Sequence, residues 1–213
     1  MAASSDVLMV LCKSGASGIP GESQVVFSEK DTMLAGPPKF ESGKCFVLDG
    51  FSMPLACPPD DSAAAKSPPP ALLALNKSGQ LTASSSLKLK KGTQWQPANL
   101  NAISCSRQVD ATSPVLFNEC AQPGGPTSFP FAAIIRRKVV GGGLQNVSQG
   151  GHLMTYLRID FEGVQIINVN WDSDDEGVKE RFDFVCSKAT VQYRQQMHTG
   201  KVSTPLPPGI WQG

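Results

Sequence analysis

Alternation of apolar and polar residues in the last third of the chain constrains the fold more than any other feature. In residues 181–186 the side chains of Phe182, Phe184 and Cys186 fall on one face of an extended strand, and residues 188–194 repeat the period of two. Two runs before them, at 153–159 and 164–171, are rich in β-branched and aromatic residues. Neighbouring stretches of this kind predict antiparallel strands that bury one face.

Earlier segments of the chain also indicate strands. Residues 7–12 form a continuous apolar run, which is typical of a strand buried on both faces. Residues 45–53 indicate another strand, in which Gly50 predicts a bend or bulge. Residues 129–140 and 101–109 supply two more. The alternation in the last of these places four side chains on one face: Ile103, Cys105, Arg107 and Val109.

One segment predicts a helix. Ser113 is a plausible N-cap, and Pro114 stands at the first helical position, where its missing N–H costs nothing. Val115, Leu116 and Phe117 supply the apolar side that we expect to pack on a sheet, and a Pro-Gly-Gly sequence ends the helix. Together these segments predict a mainly β fold, an antiparallel barrel or sandwich with one short α-helix.

The length of 213 residues fits a single domain with a sizeable core. The character of the chain changes at 54–91, where runs of proline, alanine and serine predict a low-complexity insertion. Residues 202–213 form a proline-rich tail, which is either a docking peptide or a closing segment. We therefore predict one domain over 1–213 that carries this insertion and this tail.

Charge and hydropathy exclude several classes of partner. The 19 basic and 18 acidic residues leave a formal net charge of +1, which gives no electrostatic reason to bind nucleic acid. No run reaches the roughly 18 apolar residues needed to span a bilayer, so membrane insertion is not expected. The first residues lack the basic segment of a signal peptide, and a protein of this kind would leave the cell by a specialised route.

The residue types that carry chemistry form no recognisable set. Six cysteines are irregularly spaced without a CxxC motif, and only two histidines are present. Residues 172–177 carry acids at alternate positions like a calcium loop, but flanking strands favour a solvated acidic hairpin. We expect no metal, no cofactor and no catalytic residue, and hence no enzyme. Four cysteines lie in apolar strands and should be inert thiols: Cys12, Cys45, Cys105 and Cys186. Cys57 lies among prolines and should be exposed.

Five short motifs follow one another along the chain. They are the strand that starts at Asp6, the sequence Ile-Pro-Gly-Glu-Ser at 19–23, the Gly-Phe pair at 50–51, the segment Asp-Ala-Thr-Ser-Pro-Val-Leu at 110–116, and Glu-Arg-Phe-Asp-Phe at 180–184. In this order they resemble the landmarks of the Hcp family, the tube-forming proteins of bacterial type VI secretion systems. The resemblance covers nearly the whole chain except the insertion.

The resemblance implies a two-sheet antiparallel β-barrel that assembles into hexameric rings, which stack into a tube inside a contractile sheath. A subunit with exposed strand edges gains from such closure, because neighbours satisfy the edges. The implied partners are copies of the chain itself, a VgrG-type spike protein at the tube tip, the sheath, and small effectors carried in the channel. The protein would be cytoplasmic before secretion and extracellular afterwards.

The loop at 24–44 occupies the position of the family's ring-stacking loop. We therefore expect six of its residues to contribute to ring-to-ring contact: Gln24, Glu29, Lys30, Asp31, Met33 and Leu34.

Two other functions remain open from the sequence. One is a secreted effector or effector carrier on the same fold, with its activity in the insertion or in the tail. The other is a monomeric β-sandwich that binds a small ligand or glycan, which predicts a monomer with an apolar or aromatic pocket instead of a ring.

Overall fold

The computed structural model describes residues 7–56, 99–122, 129–140, 152–175, 177–195 and 203–213. The chain divides into two compact units, one of Met1–Pro54 with Leu100–Gly213 and one of Leu55–Asn99. Almost all of the second unit, and with it the predicted insertion and Cys57, lies outside the described residues.

Eleven strands and one α-helix make up the described secondary structure, together with one 3-10 turn (Thr32–Leu34). In chain order they are β1 (Val7–Cys12), β2 (Phe46–Leu48), β3 (Gly50–Ser52), β4 (Leu55–Ala56), β5 (Asn99–Leu100), β6 (Ile103–Gln108), α1 (Ser113–Ala121), β7 (Phe129–Val140), β8 (His152–Asp174), β9 (Gly177–Val185), β10 (Lys188–Tyr193) and β11 (Gly209–Gln212). The short strands β4 and β5 pair with each other in a separate two-stranded sheet.

The remaining strands form one sheet that closes on itself. Its order is β2-β1-β7-β8-β9-β6-β3, with β10 added to β8 and β11 added to β10. The strands at the two ends of this order, β2 and β3, are separated only by Asp49, whose amide donates to the carbonyl of Ser106 in β6 at 2.8 Å. The bend predicted near Gly50 therefore divides one extended segment into β2, which pairs with β1, and β3, which pairs with β6. The predicted mainly β, antiparallel barrel with one α-helix is confirmed.

Strand β8 spans 23 residues and organises the barrel. It pairs with β7 along one edge, and with β10 and then β9 along the other. Gly163 marks the place where β8 bends between its two halves, with a φ of 62° that favours glycine. A Cβ there would lie 2.6 Å from the hydroxyl of Ser187, which joins β9 to β10 and donates to the carbonyl of Glu162. The bend therefore needs glycine for two separate reasons.

The core lies inside the barrel and extends beneath the loop at 24–44. The continuous apolar run of β1 is buried on both faces, as predicted. Met9 and Leu11 face the barrel interior together with Phe182 and Phe184, whereas Leu8 and Val10 join a second cluster. That second cluster lies on the other side of β1 and contains Phe40, Cys45, Ala133 and Ile135. Full burial of each large side chain contributes about 1.5–3 kcal/mol.

The helix α1 begins one residue away from the predicted cap. Its N-cap is Thr112, and Ser113 is already helical, so the prediction of Ser113 as N-cap is wrong. The Ser113 hydroxyl is used elsewhere: it accepts from the amide of Asp110 and donates to the carboxylate of Glu180, each at 3.1 Å. The helix therefore starts from a buried polar contact with β9 instead of an ordinary side-chain cap.

Candidate assembly surfaces

The loop at 24–44 folds back onto β8 and is fixed there by a buried carboxylate. Asp31 accepts from the amide of Thr155 in β8 at 2.8 Å and from the guanidinium of Arg194, which directly follows β10. Asp31 also accepts from the amide of Met33, closing a single 3-10 turn within the loop. Asp31 and Arg194 are both almost fully buried, so the ion pair lies in a low dielectric where breaking it is costly.

A second arginine, Arg158 of β8, holds the middle of the same loop. The guanidinium of Arg158 donates to four loop carbonyls, those of Met33, Ala35, Pro37 and Pro38, at 2.7–3.3 Å. Its Nε also donates to the carboxylate of Asp160 at 2.8 Å. Burial raises the pKa of Asp160, although the adjacent Arg158 guanidinium opposes the rise. These contacts give the loop a fixed conformation on the barrel.

The residues predicted for ring stacking separate into two groups on this loop. Gln24, Glu29 and Lys30 are exposed and available to another molecule. Asp31 and Met33 are buried within the protomer, and Leu34 packs partly against the second cluster. The exposed group remains a prediction for contact between rings, while the buried group positions the loop.

The residues predicted to pack the helix on the sheet also differ in burial. Leu116 is fully buried in the barrel core, and Val115 packs against that core from its edge. Phe117 points away from the core and is 50% exposed. Its ring lies 5.6 Å, centroid to centroid, from that of Trp171 in β8.

A buried charge cluster joins the helix to the sheet. Arg107, on the core-facing side of β6, donates from Nε to Glu180 of β9 at 2.6 Å and from Nη2 to Ser113 at 3.1 Å. The Arg107 guanidinium lies 4.2 Å from the ring centroid of Phe46. Trp171 donates from its indole nitrogen to the second oxygen of Glu180 at 2.8 Å. The sequence analysis does not predict this cluster, although Arg107 shares the core-facing side of its strand with Ile103 and Cys105. An arginine at such a position indicates a buried partner.

One exposed apolar surface surrounds Trp171. We define the tryptophan patch as Val109, Phe117, Trp171 and Val178, each of them between 38% and 50% exposed. The amide of Val109 donates to the carbonyl of Val178 at 3.1 Å, so the two valines are neighbours on adjacent strands. Trp171 lies opposite Glu180 in the β8–β9 register and therefore shares a face with Val178. Contiguous apolar side chains of this kind mark interaction surfaces.

A second surface lies near the other end of β8. We define the tyrosine patch as Lys138, Tyr156, Tyr193 and Leu206. Tyr156 occupies a bulge in β8, one extra residue opposite Arg136 and Arg137 of β7. Its ring meets that of Tyr193 edge to face at 6.4 Å, and the Lys138 ammonium lies 4.6 Å from its centroid. Leu206 of the tail is exposed, and its amide donates to the carbonyl of Tyr193.

The tail continues from this patch into the sheet. Residues 209–212 form β11, which pairs with β10 from Gly209–Val191 to Gln212–Lys188. Of the two roles open to the tail from its sequence, the structure shows that of a closing segment for residues 209–212.

The outer face of β6, β8 and β9 forms an open polar cavity of about 580 Å³. Side chains that alternate away from the core line it, among them Ser106, Gln108, Asn170 and Arg181. The predicted hairpin at 172–177 joins β8 to β9 at its rim. Across the described ranges no three His, Cys, Asp or Glu side chains come close enough to hold a metal ion.

Comparison with solved structures identifies the architecture. A type six secretion system protein superposes with a TM-score of 0.61 at 15% identity, over 98% of this chain and 96% of the other. The Hcp1 protein of E. coli EAEC 042 superposes with a TM-score of 0.55 at 16% identity, over 94% of this chain and 97% of the other. The chain has the Hcp fold.

A third Hcp-fold neighbour is a type VI secretion system effector from Yersinia pestis. Its TM-score is 0.50 at 15% identity, and the match covers 98% of this chain and 100% of the other. No protein-family model and no curated protein sequence matches this chain. The described helices of this Hcp-fold chain, nine and three residues long, are too short to cross a bilayer.

Proposed function

We propose that this chain is a structural subunit of a type VI secretion tube, which assembles into hexameric rings that stack and carry small effectors in their channel. The observation that carries this proposal is the fit of the whole chain to the Hcp fold, since the match runs over nearly all of both chains. At 15–16% identity the comparison shows a shared fold, and the function is inferred from that fold by analogy.

The anchored loop at 24–44 supports the same function. A loop that makes contacts between rings must hold its shape in the free subunit, because ordering it on assembly would cost conformational entropy. Buried Asp31 and the four carbonyl contacts of Arg158 supply that order. We propose that exposed Gln24, Glu29 and Lys30 make the contact between rings, and that a spike protein and a sheath are the further partners.

The mass of the untagged, full-length protein in solution tests the proposal. Native mass spectrometry or light scattering should give six times the protomer mass of 22.6 kDa, and electron microscopy should show rings with an open channel. A monomer at high protein concentration would overturn the proposal and would favour the ligand-binding function instead.

A second candidate is a secreted effector, or a carrier of one, on the same fold. The solved structure described as a Yersinia pestis effector favours this candidate, because it shares the fold over its full length. Expression in a bacterium that lacks a protective partner separates the two. A tube subunit should leave growth unchanged, whereas toxicity that persists in an assembly-deficient variant would support the effector.

A further inference from the structure

The two aromatic patches lie near opposite ends of one strand. Tyr156 and Trp171 both belong to β8 and are 15 residues apart. At roughly 3.3 Å per residue, that separation corresponds to up to about 50 Å of strand. Each patch combines aromatic rings with exposed aliphatic side chains that the protomer leaves uncovered. Each patch is therefore available for contact with another molecule.

The electrostatic character of the two patches is opposite. Beside Trp171, the hairpin has four acidic residues in the five positions 172–176. Asp172 and Asp175 are exposed there. At the other patch, the Lys138 ammonium lies over the ring of Tyr156. Asp172 alternates away from Trp171 into the polar cavity beside Lys179 and Arg181, so Asp175 in the turn is the exposed carboxylate that can meet a cation next to this patch. The two patches therefore suit each other: a cation and tyrosine rings on one side, a carboxylate and an indole on the other.

We propose that the tyrosine patch of one copy packs on the tryptophan patch of the next copy, with Lys138 facing the acidic hairpin. This inference rests on the proposed function, because it assumes that the chain self-assembles, and it specifies the surfaces that do so. The contact is heterologous: the two copies contribute different residues, so each copy retains one unused patch for a further copy. A repeating contact of this kind produces a closed ring or a continuing stack.

Chemical cross-linking tests the contact in the unmodified protein. An equal mixture of ¹⁴N- and ¹⁵N-labelled protein is treated with a carbodiimide, which joins lysine ammonium groups directly to carboxylates. The expected result is a mixed-isotope peptide pair that joins Lys138 to the peptide that carries Asp175. Mixed-isotope pairs that join other regions, with none at Lys138, would contradict the proposal.

Complementation between two variants tests whether the contact is heterologous. One variant, Phe117→Gln with Val178→Lys, disables the tryptophan patch; the other, Tyr193→Ala with Leu206→Asp, disables the tyrosine patch. All four positions are exposed, which favours normal folding, and circular dichroism verifies it. Ile167→Lys is the control, because Ile167 is exposed to a similar 45% on a bulge between the patches.

Each double variant alone should have a smaller mass than the wild type, and an equal mixture should produce a complex of twice the variant mass. The mixture pairs one intact tyrosine patch with one intact tryptophan patch. Wild-type mass in both variants would overturn this inference and leave the proposed function standing. A monomeric wild type would instead overturn the proposed function.

Discussion

Asp31 and Arg194 lie 163 positions apart in the sequence, and their side chains form a buried ion pair. The pair joins the loop at 24–44 to the residue that follows β10, so the second cluster and the C-terminal strands are held together at this point. The amide of Thr155 is the third member, because it donates to the other carboxylate oxygen of Asp31. The shape of the loop therefore depends on residues that are distant in the chain.

Replacing the buried carboxylate should destabilise the whole protein. Asp31→Ala leaves the Arg194 guanidinium buried without its anion, and we expect the free energy of unfolding to fall by about 3–5 kcal/mol. Urea denaturation followed by tryptophan fluorescence measures the change. Lys39→Ala, exposed on the same loop and outside the predicted contact between rings, is the control and should stay within about 0.5 kcal/mol of the wild type. A loss below about 1 kcal/mol for Asp31→Ala would contradict the anchoring role.

The Arg107–Glu180 pair should behave as one unit. Arg107→Met leaves the Glu180 carboxylate buried without a cation and should cost about 3–5 kcal/mol of unfolding free energy. Glu180→Leu should cost less, because Asp110 still pairs with the Arg107 guanidinium. The double variant places two apolar side chains of similar volume in contact, and it should recover most of that loss. Chemical denaturation of all four proteins completes the cycle. Losses that simply add in the double variant would show that the two side chains are not coupled.

Charge reversal on the loop should separate ring formation from stacking. Lys30→Glu changes an exposed residue of the loop without touching its buried anchors, so the fold of the subunit and the mass of the proposed hexamer should be unchanged. We expect stacked tubes to be lost in electron micrographs under conditions in which the wild type forms them. Lys39→Glu alters an equally exposed lysine outside the predicted contact and should still form tubes. Tubes of normal length from Lys30→Glu would exclude a contact at this position.

The buried thiols should resist alkylation and should set an alkaline limit on stability. Burial raises the pKa of Cys12 and of Cys186 to about 11, and it also raises the pKa of Cys45 and Cys105. At pH 8 a maleimide reagent should label Cys12, Cys45 and Cys105 only after unfolding, as peptide mass spectrometry would show. Rapid labelling of the native protein at any of the three would contradict their burial.

The pH dependence follows from the same raised pKa values. From about pH 9 to about pH 11 the unfolded chain has lost thiol protons that the folded chain retains, so the free energy of unfolding should decrease over this range. Cys12→Ala removes one such group and should make the decrease shallower. An identical pH profile for wild type and Cys12→Ala would show that this thiol does not contribute.

Gly163→Ala should weaken the bend in β8. The alanine would have to adopt a φ near 62° with its Cβ 2.6 Å from the Ser187 hydroxyl, and we expect a loss of about 1–3 kcal/mol in thermal or urea unfolding. Gly209→Ala is a matched control, since a Cβ there meets nothing within 4 Å and should change stability by less than about 0.5 kcal/mol. Equal effects of the two substitutions would mean that the bend tolerates a side chain.

The sequence predicts the strands of this fold well, because alternation is a local property of the chain. Phe182 and Phe184 lie in the core as their period of two indicates, and the apolar run of β1 is buried on both faces. The predicted start of the helix lies within one residue of the observed start. The hydroxyl of Ser113 does not cap the helix, because it is engaged by Glu180, which lies 67 positions away.

The sequence does not predict the anchoring of the loop or the composition of the two patches. Arg158 contacts loop carbonyls that lie 120 to 125 positions away, and no local pattern encodes such a pairing. Phe117 belongs to the apolar side of a short helix in the sequence, but the fold turns it outward onto Trp171. Arg107 did carry a signal, because an arginine in a core-facing alternation requires a buried partner.

The register of strand β8 fixes the positions of both patches at once. Because side chains alternate along a strand, slippage of β8 by one residue would turn Phe161 out of the core and would at the same time misplace both Tyr156 and Trp171. If the proposed contact between copies forms, a copy with this shift would lose both patches together, so it could not bind a neighbouring copy through one patch while lacking the other.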